Sequence, residues 1–273
     1  MDLRKTLKQF DFKPRKSLGQ NFLFDPALLD RVVAAADVTP TDTVLEIGPG
    51  AGSLTRRLAE VAARVIAVEL DDRLLPVLHH TLADFPNITL LHGDILKVET
   101  TRWAVSGDPY KVVANIPYYL TSAIIRRLLT GQIKPSLIVL TVQREVAERI
   151  CAAPPAMSLL AVSVQFYGRP RLVGGIPAGA FYPRPDVDSA IVRIDLFDQP
   201  ALPDSDVDRF FQIVKAGFGQ KRKQLRNALS AGLGLKRAEA DAFLHRAEID
   251  PARRAETLMM EEWVKLYRVI GKR

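Results

Sequence analysis

Thr43-Val-Leu-Glu-Ile47 is an apolar, β-branched run that stops at Gly48-Pro-Gly-Ala-Gly52, and Ser53 to Val61 continues with Leu54, Leu58 and Val61 at helical spacing. A buried strand, a glycine-rich turn and a helix in that order admit few folds. The turn lets a ligand approach the backbone closely, at the N-terminus of a helix. A second apolar run, Val65-Ile-Ala-Val68, ends at Glu69, about twenty residues beyond Gly48, where a carboxylate can accept both hydroxyls of a ribose. The pair indicates a ribose-bearing cofactor, and a dinucleotide site has the same layout. Two details lean away from NAD. Ser53 stands where the dinucleotide fingerprint wants its third Gly or Ala, and Glu46 sits two residues before Gly48. An acid there receives the amino group of an amino-acid-like cofactor, directly or through water, and is out of place beside a pyrophosphate.

The rhythm of strand and helix extends on both sides. Asp25 is an expected N-cap with Pro26 at the first helical position and Leu28, Leu29, Val32 and Val33 on the apolar face. Upstream of it, Gln20 and Asn21 are polar residues in an apolar context, either structural hydrogen-bonders or ligand contacts. Asp72 to Phe85 reads as a helix whose Pro76 falls in the first turn. Ile88 to Leu91 is a third strand running into His92-Gly-Asp94, and Asp94 either accepts from an adenine amino group or caps the next turn. Tyr110 to Ala114 is the next strand, Thr121-Ser122 cap an apolar helix closed by Gly131, Ser136 to Thr141 is a further strand and Gln143 to Cys151 a helix. Regular alternation predicts a doubly wound α/β domain. Residues 159–167 fit a helix or a strand, while Arg171 to Ile176 and Ser189 to Ile194 read as late strands forming an antiparallel edge.

Within this frame, Asn115-Ile116-Pro117-Tyr118 closes the Tyr110 strand. A buried strand ending in Asn-x-Pro delivers a polar group to the carboxyl edge of the sheet, where ligands of open α/β sheets gather. Pro117 fixes its own φ and disfavours helix at Ile116, so the Ile116 carbonyl is free to point into a cleft beside the Asn115 amide. Two acceptors beside the Tyr118 ring suit a planar group carrying an NH2. Phe181-Tyr-Pro-Arg-Pro-Asp-Val-Asp188 is a second special segment. Its prolines are expected to hold it extended without a sheet ladder, presenting Phe181 or Tyr182 as a stacking surface for a flipped base.

The remainder is basic and helical. Net charge is +7 over 273 residues, which favours a polyanionic partner. Arg4, Lys5, Lys8, Lys13, Arg15 and Lys16 crowd residues 1–16, which read as a poorly ordered arm. Gln199 to Ser205 has linker composition, so the expected domains are 17–200 and 201–273. The second is expected to carry helices over 206–218, 221–231, 236–247 and 260–270. It holds fifteen Lys or Arg against ten Asp or Glu, with Lys221, Arg222, Lys223 and Arg226 expected in one helical turn as phosphate contacts. No apolar run reaches the ~18 residues of a membrane span. The single cysteine, Cys151, permits no internal disulfide, and the neighbouring His79 and His80 point apart on a helix, so no metal is expected. The compartment expected from this composition is the cytoplasm.

Six motifs in order now resemble one family. Gly19-Gln-Asn-Phe-Leu23, Leu45-Glu-Ile-Gly-Pro-Gly-Ala-Gly52, the Glu69 strand, Gly93-Asp-Ile-Leu96, Asn115-Ile-Pro-Tyr118 and Phe181-x-Pro-x-Pro-x-Val-x-Ser-Ala190 are similar to those of the class I, S-adenosylmethionine-dependent N6-adenine methyltransferases of ribosomal RNA. Phe218-Gly-Gln-Lys-Arg-Lys-x-Leu-Arg-Asn-x-Leu229 and Ile249-Asp-Pro-x-x-Arg-Ala-Glu256 resemble the branch that dimethylates adenosine in the bacterial small subunit. The resemblance implies a Rossmann-like fold with a small all-helical C-terminal domain, S-adenosyl-L-methionine as cofactor, the 30S precursor as partner and a monomer without metal. It implies that Asn21, Leu23 and Gly48 line the methionine side of the cofactor, with Gln20, Glu46 and Gly50 also in its site, that Glu69 holds the ribose and Asp94 the adenine, and that Asn115 lies between cofactor and substrate. It also implies that Asn115 and the Ile116 carbonyl accept from the target N6, with Pro117 shaping the turn and Tyr118 and Phe181 sandwiching the base. Tyr119 departs from the family, which often carries Asn, His or Gln there. A large-subunit methyltransferase of the macrolide-resistance type and a largely non-catalytic assembly factor on the same scaffold are the rival readings.

Overall fold

The computed structural model describes residues 3–102 and 108–271. In chain order its elements are α1 (Leu3–Gln9), β1 (Phe22–Leu23), α2 (Pro26–Ala35), β2 (Thr43–Ile47), α3 (Ser53–Ala59), β3 (Arg64–Glu69), α4 (Leu75–Thr81), β4 (Ile88–His92), β5 (Tyr110–Asn115), α5 (Thr121–Thr130), β6 (Leu137–Gln143), α6 (Arg144–Ile150), α7 (Leu159–Gln165), β7 (Gly168–Ile176), β8 (Phe181–Tyr182), β9 (Ser189–Leu196), α8 (Asp204–Phe218), α9 (Leu225–Leu233), α10 (Arg237–Arg246) and α11 (Met260–Ile270). They cluster into two compact units, Met1–Ala147 with Pro170–Leu196, and Glu148–Arg169 with Phe197–Arg273.

The first unit is a sheet of seven strands in the order β4-β3-β2-β5-β6-β9-β7. The pairs β2–β3, β3–β4, β2–β5 and β5–β6 are parallel, and β6–β9 is antiparallel, as the late strands predicted. β2, β3 and β6 are buried along nearly their whole length, as parallel strands covered on both faces must be. The chain runs from β2 outward through β3 and β4, then returns to place β5 on the other side of β2. That reversal opens a crevice at the carboxyl ends of β2 and β5, where no crossover connection covers the edge. Asp25 caps α2 as expected, its carboxylate accepting from the Leu28 amide at 3.0 Å.

Several expectations need correction. Within the N-terminal arm Leu3–Gln9 is a helix, docked because Leu7, at 2% exposure, is buried with Phe22, Leu74 and Leu78, and Phe12 packs edge-on against Phe22 at 6.0 Å. Two apolar anchors among the charges are enough to dock it. The Phe181 segment does form a ladder, since β8 pairs antiparallel with β1 through Phe22↔Tyr182 and Leu23↔Phe181. Thr121 and Ser122 do not cap α5. The helix grows out of a 3-10 turn, Tyr118–Leu120, whose own bond runs from the Leu120 amide to the Pro117 carbonyl at 3.0 Å. The helix expected over 72–85 is shorter, entered through a 3-10 turn at Asp72–Leu74 and ending at Thr81.

In the second unit, the ambiguous stretch 159–167 is helical over Leu159–Gln165, with Ser158 accepting from the Ala161 amide at 3.1 Å as its N-cap. The Phe166 ring stacks on Phe210 at 4.8 Å, and Trp263, fully buried, stacks on Phe218 at 5.6 Å. Lys221, Arg222 and Lys223 are not helical. They lie exposed in the turn between α8 and α9, where the chain reverses before Leu225.

Candidate active site

The carboxyl edge at the β2/β5 reversal holds a cleft, placed where ligands of open α/β sheets bind. Its walls come from the loop Leu18–Phe22, the β2 turn at Gly48 and Gly50, the β3 end at Glu69, Gly93–Ile95 after β4, and Asn115–Leu120 after β5. Five separate motifs therefore meet in one cavity.

The β2 turn is shaped for close approach. Gly48 and Gly50 take φ of +68° and +60°, conformations that favour glycine. A Cβ on Gly48 would meet nothing within 4 Å, whereas one on Gly50 would strike the Phe22 ring at 2.7 Å. Gly48 is thus a bare cradle facing open space, and Gly50 is bare because an aromatic ring occupies its side-chain position. The Gly50 amide donates to Glu69 Oε2 at 3.1 Å and the Asp71 amide to Oε1 at 2.8 Å. Both oxygens of this buried carboxylate are fixed by backbone and retain lone pairs for a ligand. Burial raises the pKa of Glu69, and the backbone hydrogen bonds act in the opposite sense.

Glu46 and Leu23 lie behind this cleft. Glu46 is 1% exposed, its Oε2 has no hydrogen-bond partner, and it lines a smaller recess with Gly48, Ser53, Asn115 and Thr141. Burial pushes its carboxyl up to about 8, the Thr55 hydroxyl pulling the other way. An orphaned buried acid next to a bare glycine fits the amino-acid end of S-adenosylmethionine. The Leu23 side chain sits in the core with Leu29 and Phe181 and lines the recess, not the main cleft.

Gln20 lines the cleft and is also tied into its wall. Its Nε2 donates to Asp71 Oδ2 at 2.7 Å and its Oε1 accepts from the Arg15 amide at 2.7 Å, so both ends of the amide are engaged. Asp71 also receives Arg73, and burial, which opposes ionisation, is outweighed by these hydrogen bonds, so its pKa is lowered. The result is a latch that ties the 15–20 loop to the backbone beside Glu69. Asp71 was missed from the sequence; a second carboxylate two positions past Glu69, followed by Asp72 and Arg73, was the available signal.

On the other wall, Asn115 Nδ2 donates to the Asn21 carbonyl at 2.9 Å, leaving Oδ1 as the acceptor at the strand end. The 3-10 turn bonds through Pro117, so it does not consume the Ile116 carbonyl. Tyr118 lines the cleft, its hydroxyl 2.5 Å from the Ser189 hydroxyl. Tyr119, 58% exposed, also lines the cleft and lies beside Gly19. Asp94 caps the turn after β4, its Oδ1 accepting from the Leu96 amide at 2.9 Å, and the residue also lines the cleft.

Phe181 is not brought to the surface. It is 3% exposed, and Tyr182 is the aromatic presented, at 44%. Arg226 is likewise tied down, 3.6 Å from Asp241 and donating to Gln224 at 3.1 Å, while Lys221, Arg222 and Lys223 are exposed. Among the described residues no group of three His, Cys, Asp or Glu assembles as a metal site, and no helix is long and apolar enough to cross a membrane.

The comparisons with known proteins agree with this geometry. A family profile described as ribosomal RNA adenine dimethylase matches residues 11–272. The small-subunit ribosomal RNA methyltransferase A of Dehalococcoides mccartyi strain CBDB1 is 49% identical over 265 residues, covering 96% of this chain and 90% of its own. Among solved structures, the 23S rRNA methyltransferase ErmE superposes with a TM-score of 0.75 at 29% identity, covering 92% of this chain and all of its own. A dimethyladenosine transferase from Plasmodium falciparum shares the fold at a TM-score of 0.79 and 24% identity, over 92% of this chain and 98% of its own. With a family profile matched over nearly its whole length and a relative 49% identical over 96% of it, the chain belongs to the ribosomal RNA adenine dimethylase family.

Proposed function

We propose that the protein dimethylates N6 of two adjacent adenosines near the 3' end of small-subunit ribosomal RNA, using S-adenosyl-L-methionine. The anchored amide of Asn115 carries this reading. With Nδ2 bonded to the Asn21 carbonyl, Oδ1 is left as the acceptor of a residue that lines the cleft together with Ile116. An aromatic amine is a poor nucleophile because its lone pair is delocalised into the ring. Two hydrogen bonds accepted from it draw it toward pyramidal geometry and return that lone pair to nitrogen.

Gly48, Glu69, Asp94 and the Glu46 recess would hold the cofactor, which supplies an electrophilic methyl group on a sulfonium centre. The chain itself provides positioning and electrostatics: the Tyr118 ring stacks on the extruded base, and Asn115 and Ile116 orient N6. No protein base is needed before attack, since the cationic product loses its proton readily. Phe181 is assigned the second face of the base, which requires the β1–β8 ladder to yield on binding. Lys221, Arg222 and Lys223 contact RNA phosphates. The substrate is the 30S precursor, the protein acts as a monomer, and the compartment is the cytoplasm. The small-subunit relative at 49% identity favours this substrate over the large subunit.

The test is transfer of labelled methyl from S-adenosylmethionine to purified small and large subunits lacking endogenous modification, followed by nucleoside analysis. Dimethyladenosine from the small subunit alone is expected. Label on the large subunit would move the protein to the resistance-type branch, and no label on either would favour an assembly factor.

A further inference from the structure

Ser189 is fully buried at the first position of β9, and its hydroxyl lies 2.5 Å from that of Tyr118. It stands on a rigid support. β9 pairs with β6 through Gln143↔Ser189, and β6 pairs with β5 through Asn115↔Thr141, so Ser189 and Asn115 rise from the same sheet edge. The preceding residue is held twice, its carbonyl accepting from the Arg144 amide at 3.0 Å and its Oδ1 from the Ala178 amide at 2.9 Å. At its other end the Tyr118 ring springs from the 3-10 turn that follows Pro117, whose φ is −59°. The ring is therefore fixed at backbone and at hydroxyl, in a residue that lines the cleft.

We propose that Ser189 is a positioning residue that holds the Tyr118 ring as a preformed wall for the target adenine. This rests on the reading of Tyr118 as the stacking ring for an N6 acceptor base. A wall fixed before binding loses no rotamer freedom when the base arrives, and keeps N6 in register with Asn115 and Ile116. Without the serine hydroxyl the tyrosine keeps a half-buried OH with no partner. An unmade buried hydrogen bond is costly, so the ring swings toward water to hydrate it. The second transfer suffers more than the first, because an N6-methylated base leaves less room for a misplaced wall.

Single-turnover methylation of small subunits, with cofactor affinity and Tm measured in parallel, tests this. S189A is expected to keep its Tm within a few degrees and its cofactor affinity, lose about tenfold to a hundredfold in rate, and release more monomethyladenosine. Y118F and Y118F/S189A, which carry no orphaned tyrosine hydroxyl, are expected to lose only a few-fold, so the double variant is faster than S189A. A merely structural serine would move Tm and leave that ordering additive. S189C, nearly isosteric and a weak hydrogen-bonder, replaces S189A if the alanine variant does not fold, with a rate loss expected again. Wild-type rate and product ratio in S189A or S189C, or a double variant slower than S189A, overturns the inference. Absence of transfer by the wild type overturns instead the reading on which it rests.

Discussion

The amide nitrogen of Asn115 donates to the backbone carbonyl of Asn21 at 2.9 Å, joining the end of β5 to a loop ninety-four positions earlier in the chain. The bond fixes which end of the amide is an acceptor. It also ties the Leu18–Phe22 loop to Asn115, two segments that line the same cleft.

Asn115→Asp tests this orientation. Aspartate keeps an acceptor but meets the Asn21 carbonyl with a second acceptor, so the side chain turns away. The single-turnover rate is expected to fall by about 10²-fold, of the order of removing one preorganised polar group in other sites, with cofactor affinity by calorimetry nearly intact. An Asp variant as fast as wild type would mean that the anchor is irrelevant.

Gly48 and Gly50 separate ligand approach from loop integrity. Gly48→Ala and Gly50→Ala are each destabilised by about 1–2 kcal/mol for a left-handed conformation. The Gly48 methyl enters open cleft, so cofactor affinity falls further than stability. The Gly50 methyl also collides with Phe22 and shifts the amide that holds Glu69, so Tm falls further in Gly50→Ala than in Gly48→Ala. Equal Tm shifts for the two variants would contradict the assignment of Gly48 as the cradle.

Glu46 predicts a pH dependence of folding. Burial raises its carboxyl from 4.5 to about 8 in the folded protein. The stability this group contributes is complete below pH 4.5, where both states are protonated, and is lost as pH rises toward about 8, because only the unfolded chain ionises it in that window. Glu69, also raised by burial, acts in the same sense. Urea denaturation from pH 5 to 8 should give a decline of at most ~1.4 kcal/mol per unit from this residue, and Glu46→Gln should flatten it. An unchanged profile in the Gln variant would show that Glu46 ionises freely.

The basic cluster splits into two tasks. Reversing Lys221, Arg222 and Lys223 to Glu should weaken binding to small subunits and lower the magnitude of the salt slope by roughly 0.7–0.9 for each phosphate no longer neutralised. Arg226→Ala removes the pairing with Asp241, so it should lower the Tm and leave the salt slope unchanged. A slope altered by Arg226→Ala alone would place that residue in the interface.

The sequence by itself determined the α/β unit and most of the polar groups of the cleft, because those depend on local signals. β-branched runs, the Gly48–Gly52 turn, the Asp25 cap and the strand-terminal Glu69, Asp94 and Asn115 each declare themselves over a few residues. Contacts between distant segments were decided only by the tertiary structure. Whether Phe181 is buried or displayed depends on its pairing with Leu23, and the partner that ties Gln20 into the cleft wall is Asp71, fifty-one positions away. The same holds for Arg226, taken up by Asp241, and for Leu7, whose docking turns a charged arm into a helix. A side chain's chemistry can be read from its name, but its available lone pairs and faces are what remains after its neighbours have taken theirs, and those neighbours are chosen by the fold.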